Sequence, residues 1–201
     1  NDPTLRIETV AEGLKRPTAM AFLGSSDDII VTEKDNGTVR RIVGGVMQPE
    51  PIVDVAVAND NDTNERGLLG MAVSKQNETS TYVFLYYTES GGGQDGDDAD
   101  GVVPAGNRLY RYELVENVNG NATSSKLMNP KLLLDLPARP GPRYNAGPLL
   151  VSQNQISTNN IDGIASNSGA AAATNTTVYL IIGDLDHHRT QAENYEDGPP
   201  P

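Results

Sequence analysis

Thr18-Ala19-Met20-Ala21-Phe22-Leu23, Asp28-Ile29-Ile30-Val31-Thr32-Glu33 and Thr38-Val39-Arg40-Arg41-Ile42-Val43 follow one another, parted by a polar turn and by a turn holding Asn36-Gly37. Short runs rich in β-branched and aliphatic residues, bounded by such turn residues, predict antiparallel strands. A last short run, Ile52 to Val57, closes the unit. No stretch of about a dozen residues keeps the apolar spacing of a helix, so the predicted fold class is all-β.

The same order of strands returns further along. Leu68 to Val73, Thr81 to Thr88, Arg108 to Leu114 and Leu132 to Leu136 make a second unit, and a third runs from Pro148-Leu149-Leu150-Val151 to Val178 through Asp184. Four antiparallel strands in units of roughly 40 to 50 residues is the arithmetic of a β-propeller blade. The chain therefore predicts one partial β-propeller domain over residues 1–201, with blade-like units at 10–60, 61–137 and 138–201. That is about two and a half blades, fewer than closure of a propeller requires, and an open fan leaves two sheet faces bare. A complementary C-terminal half, or other subunits, is the expected partner. The Gly- and Asp-rich stretch 89–106 and the Asn-, Ser- and Ala-rich stretch 152–177 read as insertion loops exposed to solvent.

Composition removes several functions. Among 201 residues, 27 acidic against 15 basic side chains give a net charge of −12, which repels phosphate backbones and anionic lipid surfaces and makes nucleic acid an unexpected partner. No apolar run approaches the roughly 20 residues that span a bilayer as a helix. Cysteine is absent, which excludes disulfides, thiolate catalysis and Cys-ligated zinc. Asn36, Asn61, Asn77, Asn121 and Asn175 each begin an Asn-X-Thr acceptor pattern in a polar, turn-like stretch, where an N-linked glycan stays in water. The start Asn1-Asp2-Pro3 has no initiator Met and no charged-then-apolar leader, so the expectation is a secreted, extracellular or cell-surface glycoprotein whose signal peptide has been removed.

A series of phrases then appears in fixed order. Val10-Ala11-Glu12-Gly13-Leu14-Lys15-Arg16-Pro17-Thr18-Ala19-Met20-Ala21-Phe22 is followed by Gly37-Thr38-Val39-Arg40-Arg41-Ile42 and Glu65-Arg66-Gly67-Leu68-Leu69-Gly70-Met71-Ala72. Leu136-Pro137-Ala138-Arg139-Pro140-Gly141-Pro142, Tyr144-Asn145-Ala146-Gly147-Pro148, Ile182-Gly183-Asp184, His188-Arg189-Thr190 and Glu196-Asp197-Gly198-Pro199 complete it. Together these resemble the soluble glucose, sorbosone and aldose sugar dehydrogenases, six-bladed propellers that use pyrroloquinoline quinone (PQQ). The resemblance spans nearly the whole chain. It implies a PQQ cofactor over the central channel, Ca2+ ions nearby, and a histidine that acts as general base on the anomeric hydroxyl of a sugar while hydride passes to the quinone.

Two positions depart from that pattern. Tyr144 stands where the resemblance places the catalytic histidine, and a tyrosine with an ordinary pKa near 10 is a weak base at neutral pH. Leu185 stands where an amide contact to the cofactor is expected. The resemblance marks Arg66, Tyr144, Asn145, Asp184, His187 and Arg189 as candidate cofactor-binding residues, with His188 beside them. Their competing readings are an ion pair for Arg66 and a turn cap for Asp184. Asp95, Asp97, Asp98 and Asp100 offer hard oxygen ligands for calcium at close spacing, though without the distal glutamate of an EF-hand, and a solvated loop is the alternative. Three functions remain open: a PQQ-dependent aldose dehydrogenase, a catalytically silent propeller that self-assembles in a surface layer, sheath or filament, and a carbohydrate-binding module.

Overall fold

The computed structural model describes residues 5–25, 27–59, 65–77, 80–96, 101–119, 122–138, 145, 147–155 and 174–183. Eleven strands occur among them and no helix. β1 (Pro17–Phe22), β2 (Asp28–Glu33), β3 (Thr38–Val43), β4 (Val46–Met47) and β5 (Val53–Asp54) form the first sheet. β6 (Leu68–Lys75), β7 (Thr81–Glu89), β8 (Gly106–Asn119) and β9 (Ala122–Leu136) form a four-stranded second sheet, and β10 (Leu149–Gln155) pairs with β11 (Thr174–Leu180) in a third. All pairings are antiparallel and join neighbours in sequence, except that β5 returns to β3. The chain is all-β, built as successive propeller blades.

The three sheets pack face to face. Middle strands are apolar on both sides because both sides are covered. On β7, Val83, Leu85 and Tyr87 join Ile30, Val39, Leu68 and Met71 in the cluster between the first and second sheets. The alternate residues Phe84 and Tyr86 join Leu109 against Leu149, Val151, Val178 and Leu180 of the third. A smaller cluster of Ile29, Val31 and Ile42 lies on the far face of the first sheet, topped by Ala11, Leu14 and Met47.

Glycine is required at the β2–β3 turn. Gly37 has φ of 63°, and a β-carbon there would stand 1.8 Å from the Val55 carbonyl oxygen, a left-handed conformation and a close approach that only glycine tolerates.

Three regions depart from the expected strand bounds. Ile52 to Val57 does not form one outer strand: the edge is divided between β4 and β5, because Pro49 and Pro51 lie between them and proline has no N–H for the ladder. The β8–β9 hairpin runs well beyond Leu114, in continuous register from Leu114↔Leu127 to Asn119↔Ala122. Its polar sequence hides it, since the hairpin projects past its own sheet and seals the edge of the first one. The Leu127 N–H donates to the Ile52 carbonyl at 2.8 Å, the Leu127 side chain is buried, and Arg41 reaches Glu116 at 2.9 Å and the Ser125 hydroxyl. Last, β10 and β11 extend into the stretch 152–177 as far as Gln155↔Thr174. Here polar side chains knit the third sheet to the second, Gln153 Nε2 donating to the Lys75 carbonyl at 2.8 Å and Gln76 Nε2 to Thr176 Oγ1 at 2.9 Å.

Candidate functional site at the convergence of three blades

The first strands of the three blades, β1, β6 and β10, lie side by side and enclose a cleft of about 730 Å³, within the range of small-molecule sites. Its walls come from Thr18 to Met20, from Leu69 to Met71 and from Gly147 to Leu149, and Arg16, Lys34 and Glu65 bring charge to it.

Arg16 is held in an uncommon backbone state. Its φ is 46°, in the left-handed region that costs a non-glycine residue on the order of 1 kcal/mol or more and tends to mark functional positions. Contacts on each side fix it: the Lys15 N–H donates to Glu33 Oε1 at 2.7 Å, and the Lys34 N–H to the Arg16 carbonyl at 3.1 Å. Asp35 then binds both cations, Arg16 Nη1 at 2.7 Å and Lys34 Nζ at 3.2 Å. Lys34 Nζ also donates to the Arg66 carbonyl at 3.1 Å, and the Leu68 N–H to the Lys34 carbonyl at 2.8 Å. The turn after β2 and the chain entering β6 are thereby locked together at the cleft. Arg16 and Lys34 are the groups at the cleft able to give charge-assisted hydrogen bonds to an anionic group, with Asp35 and Glu65 balancing their charge.

A buried polar chain joins β7, β8 and Asn145. The Thr88 hydroxyl donates to Asn107 Oδ1 at 2.6 Å, and Asn107 Nδ2 donates to Asn145 Oδ1 at 2.9 Å and to the Pro137 carbonyl at 3.3 Å. Thr88, Asn107 and Asn145 are all buried. Arg66 is buried as well and donates through Nη2 to the Ala138 carbonyl at 2.6 Å. Arg66 and Asn107 thus grip both ends of the stretch from Pro137 to Asn145.

The candidates named from sequence divide accordingly. Arg66 and Asn145 belong to this buried scaffold and are not among the cleft-lining residues. Asp95 accepts the Val57 N–H at 2.9 Å, a loop-closing contact. Asn36 is half-buried in its turn, while Asn77 and Asn175 are exposed. Tyr144, Asp184, His187, His188, Arg189, Asp97, Asp98, Asp100, Asn61 and Asn121 lie outside the described residues, as does Leu185. Sequence reasoning missed Arg16, Lys34, Thr88 and Asn107. Arg16-Pro17 was a usable signal, since a residue before proline is restricted in conformation; the other three sit in ordinary strand and turn contexts.

The donor set suits PQQ in part. Arg16 and Lys34 are the kind of groups that hold carboxylates. For calcium, no three His, Cys, Asp or Glu side chains gather into a metal-holding group among the described residues. Nor is any helix among them long and apolar enough to cross a membrane.

A tyrosine cluster lies away from the cleft. The rings of Tyr87 and Tyr110 stack at 5.4 Å, the hydroxyls of Tyr87 and Tyr112 are 3.3 Å apart, and Tyr110 donates to Glu89 at 2.8 Å. Burial raises the pKa of all three, most strongly that of Tyr87, and that of Tyr110 to about 12.

No curated protein matches the chain. A family profile, glucose/sorbosone dehydrogenase, matches residues 14–135, from the approach to β1 to the end of β9. With more than half of its length matched and its sheets stacked as blades, the chain belongs to the glucose/sorbosone dehydrogenase family.

Proposed function

We propose that these blades are part of an extracellular, N-glycosylated dehydrogenase that oxidises an aldose at its anomeric carbon, with PQQ as electron acceptor. The cleft at the meeting of β1, β6 and β10, with Arg16 and Lys34 beside it, carries this reading. Those two cations hold the cofactor's carboxylates. When bound, the quinone supplies the redox chemistry by accepting hydride. The chain's own part is to orient the reactants and to take the proton from the anomeric hydroxyl. Tyr144 stands at the base position in the sequence, next to Asn145, which accepts the Asn107 hydrogen bond. Ca2+ belongs with the cofactor and takes its ligands from outside the described residues. The acceptor patterns at Asn77 and Asn175 support the extracellular assignment, since both residues are exposed and leave room for a glycan. A complementary half supplies the remaining blades.

A second reading, a catalytically silent building block of a surface assembly, draws support from Tyr144 and Leu185 and from the bare outer faces of the first and third sheets. Dye reduction by the native protein, supplied with PQQ, Ca2+ and a panel of aldoses, separates the two. Sugar-dependent reduction that rises with pH toward the tyrosine range, and that moves to neutral pH in Tyr144→His, is expected. Quinone or sugar binding without turnover at any pH sinks the enzyme reading.

A further inference from the structure

The two halves of β9 have different surroundings. The first half meets the first sheet, where the Leu127 N–H donates to the Ile52 carbonyl at 2.8 Å and the Leu127 side chain is buried. From Met128 to Asp135 every residue is exposed. β9 is also the last strand of its sheet, and among the described residues no backbone hydrogen bond reaches residues 128–136 from the side away from β8. A free strand edge is a template for another strand.

Proteins blunt such an edge with charge, proline and bulges. Here Pro130 and Pro137 frame the open stretch Lys131-Leu132-Leu133-Leu134-Asp135-Leu136. Within that frame the edge is apolar: Leu132 and Leu133 are each 43% exposed and Leu134 is 36% exposed. The ladder with β8 passes from Leu109↔Leu134 to Tyr110↔Leu132, which leaves Leu133 without a partner on β8. A bulge bends the strand at that point and confines added pairing to the few residues around Leu133.

Charge selects the occupant. Lys131 and Asp135 flank Leu133 at equal spacing. Laid antiparallel against a second copy of itself about Leu133, the stretch sets Leu133 opposite Leu133, Leu132 opposite Leu134, and Lys131 opposite Asp135, the last two twice over by symmetry. Facing leucines and facing opposite charges both stabilise an antiparallel pair. Lys131 is exposed, and Asp135, which holds Arg108 at 3.0 Å, has a half-exposed side chain, so its carboxylate can serve a second cation. An axis placed between Leu133 and Leu134 would set Asp135 against Leu132 and lose both charge pairs. A two-fold contact uses the same patch on each copy and closes on itself, so it makes a dimer and does not grow a filament.

We propose that two copies of the protein pair antiparallel through the Lys131–Asp135 stretch of β9, joining their second blades edge to edge on the side opposite the cleft-lining strand β6. Sedimentation velocity of the native protein should show a monomer–dimer equilibrium. Association should weaken about tenfold or more in Lys131→Glu, which sets like charges opposite each other at two places, and should persist in Lys131→Arg. Because the chain has no cysteine, Leu133→Cys places a single thiol in it. That thiol should form an intermolecular disulfide about tenfold faster or more than Val46→Cys, exposed at 64% on β4, since directly facing residues of an antiparallel pair lie within bridging distance. A protein that stays monomeric as its concentration rises, a dimer indifferent to Lys131→Glu, or cross-linking no faster at position 133 than at position 46 overturns the proposal. So does a Leu133→Cys thiol that labels slowly in dilute protein, because the edge would then be covered within one copy.

Discussion

The carbonyl oxygen of Gly147 lies 1.8 Å from where a β-carbon on Gly70 would stand. This contact sets the spacing of the second and third blades, and Gly147 is held in turn by its N–H to the Ile181 carbonyl at 3.2 Å. Gly70→Ala must push the sheets apart along the wall of the cleft. The expected loss is about 2–3 kcal/mol, in the range of overpacked cores, read from the denaturant midpoint.

Tyr86 gives the opposite expectation. It is fully buried between the second and third sheets, and its hydroxyl has no hydrogen-bond partner among the described residues. Burial alone raises its pKa to about 12. Tyr86→Phe removes a desolvated polar group without opening a cavity, so stability should rise by about 1 kcal/mol, measured in the same titration.

Alkaline pH should act through the buried tyrosines together. Tyr86 and Tyr110 are raised to about 12 and Tyr87 and Tyr112 are raised too, each chiefly by burial. In the unfolded chain tyrosine titrates near 10. Above that value the unfolded state binds fewer protons than the folded one, so stability that is complete below about pH 10 falls as pH climbs toward 12. Circular dichroism between pH 9 and 12 should show cooperative loss of strand signal, shallower in Tyr87→Phe.

Asn107 should be costly to replace. Asn107→Leu leaves the Thr88 hydroxyl without its acceptor and Asn145 Oδ1 without the Asn107 donor, both in a buried setting. A loss of about 2–4 kcal/mol is expected, with faster exchange of the Asn145 amide protons by NMR, whereas a surface change such as Lys131→Gln should leave both unmoved.

Much of this architecture is legible in the residues. The β2 and β3 bounds read correctly from Asp28–Glu33 and Thr38–Val43, because compact β-branched runs between turn residues leave little choice of period. The β8–β9 extension was hidden, since its strands are polar and gain their reason only from the first sheet's edge at Ile52 and Arg41. The site was less legible still. Arg66 reads in sequence as a cofactor contact or an ion pair, and its burial against Ala138 has no local signal; Lys34, in an unremarkable turn, is held at the cleft by the Leu68 N–H, which binds its carbonyl. Such placements depend on contacts between blades, which carry no local signature.

PQQ binding tests the central claim most directly. Titration calorimetry of the native protein with PQQ and Ca2+ should give saturable, salt-sensitive binding, weakened about tenfold or more, near 1.4 kcal/mol, in Arg16→Gln and in Lys34→Gln. Absence of binding, or binding unchanged by both substitutions, would contradict the assignment of this cleft to the cofactor.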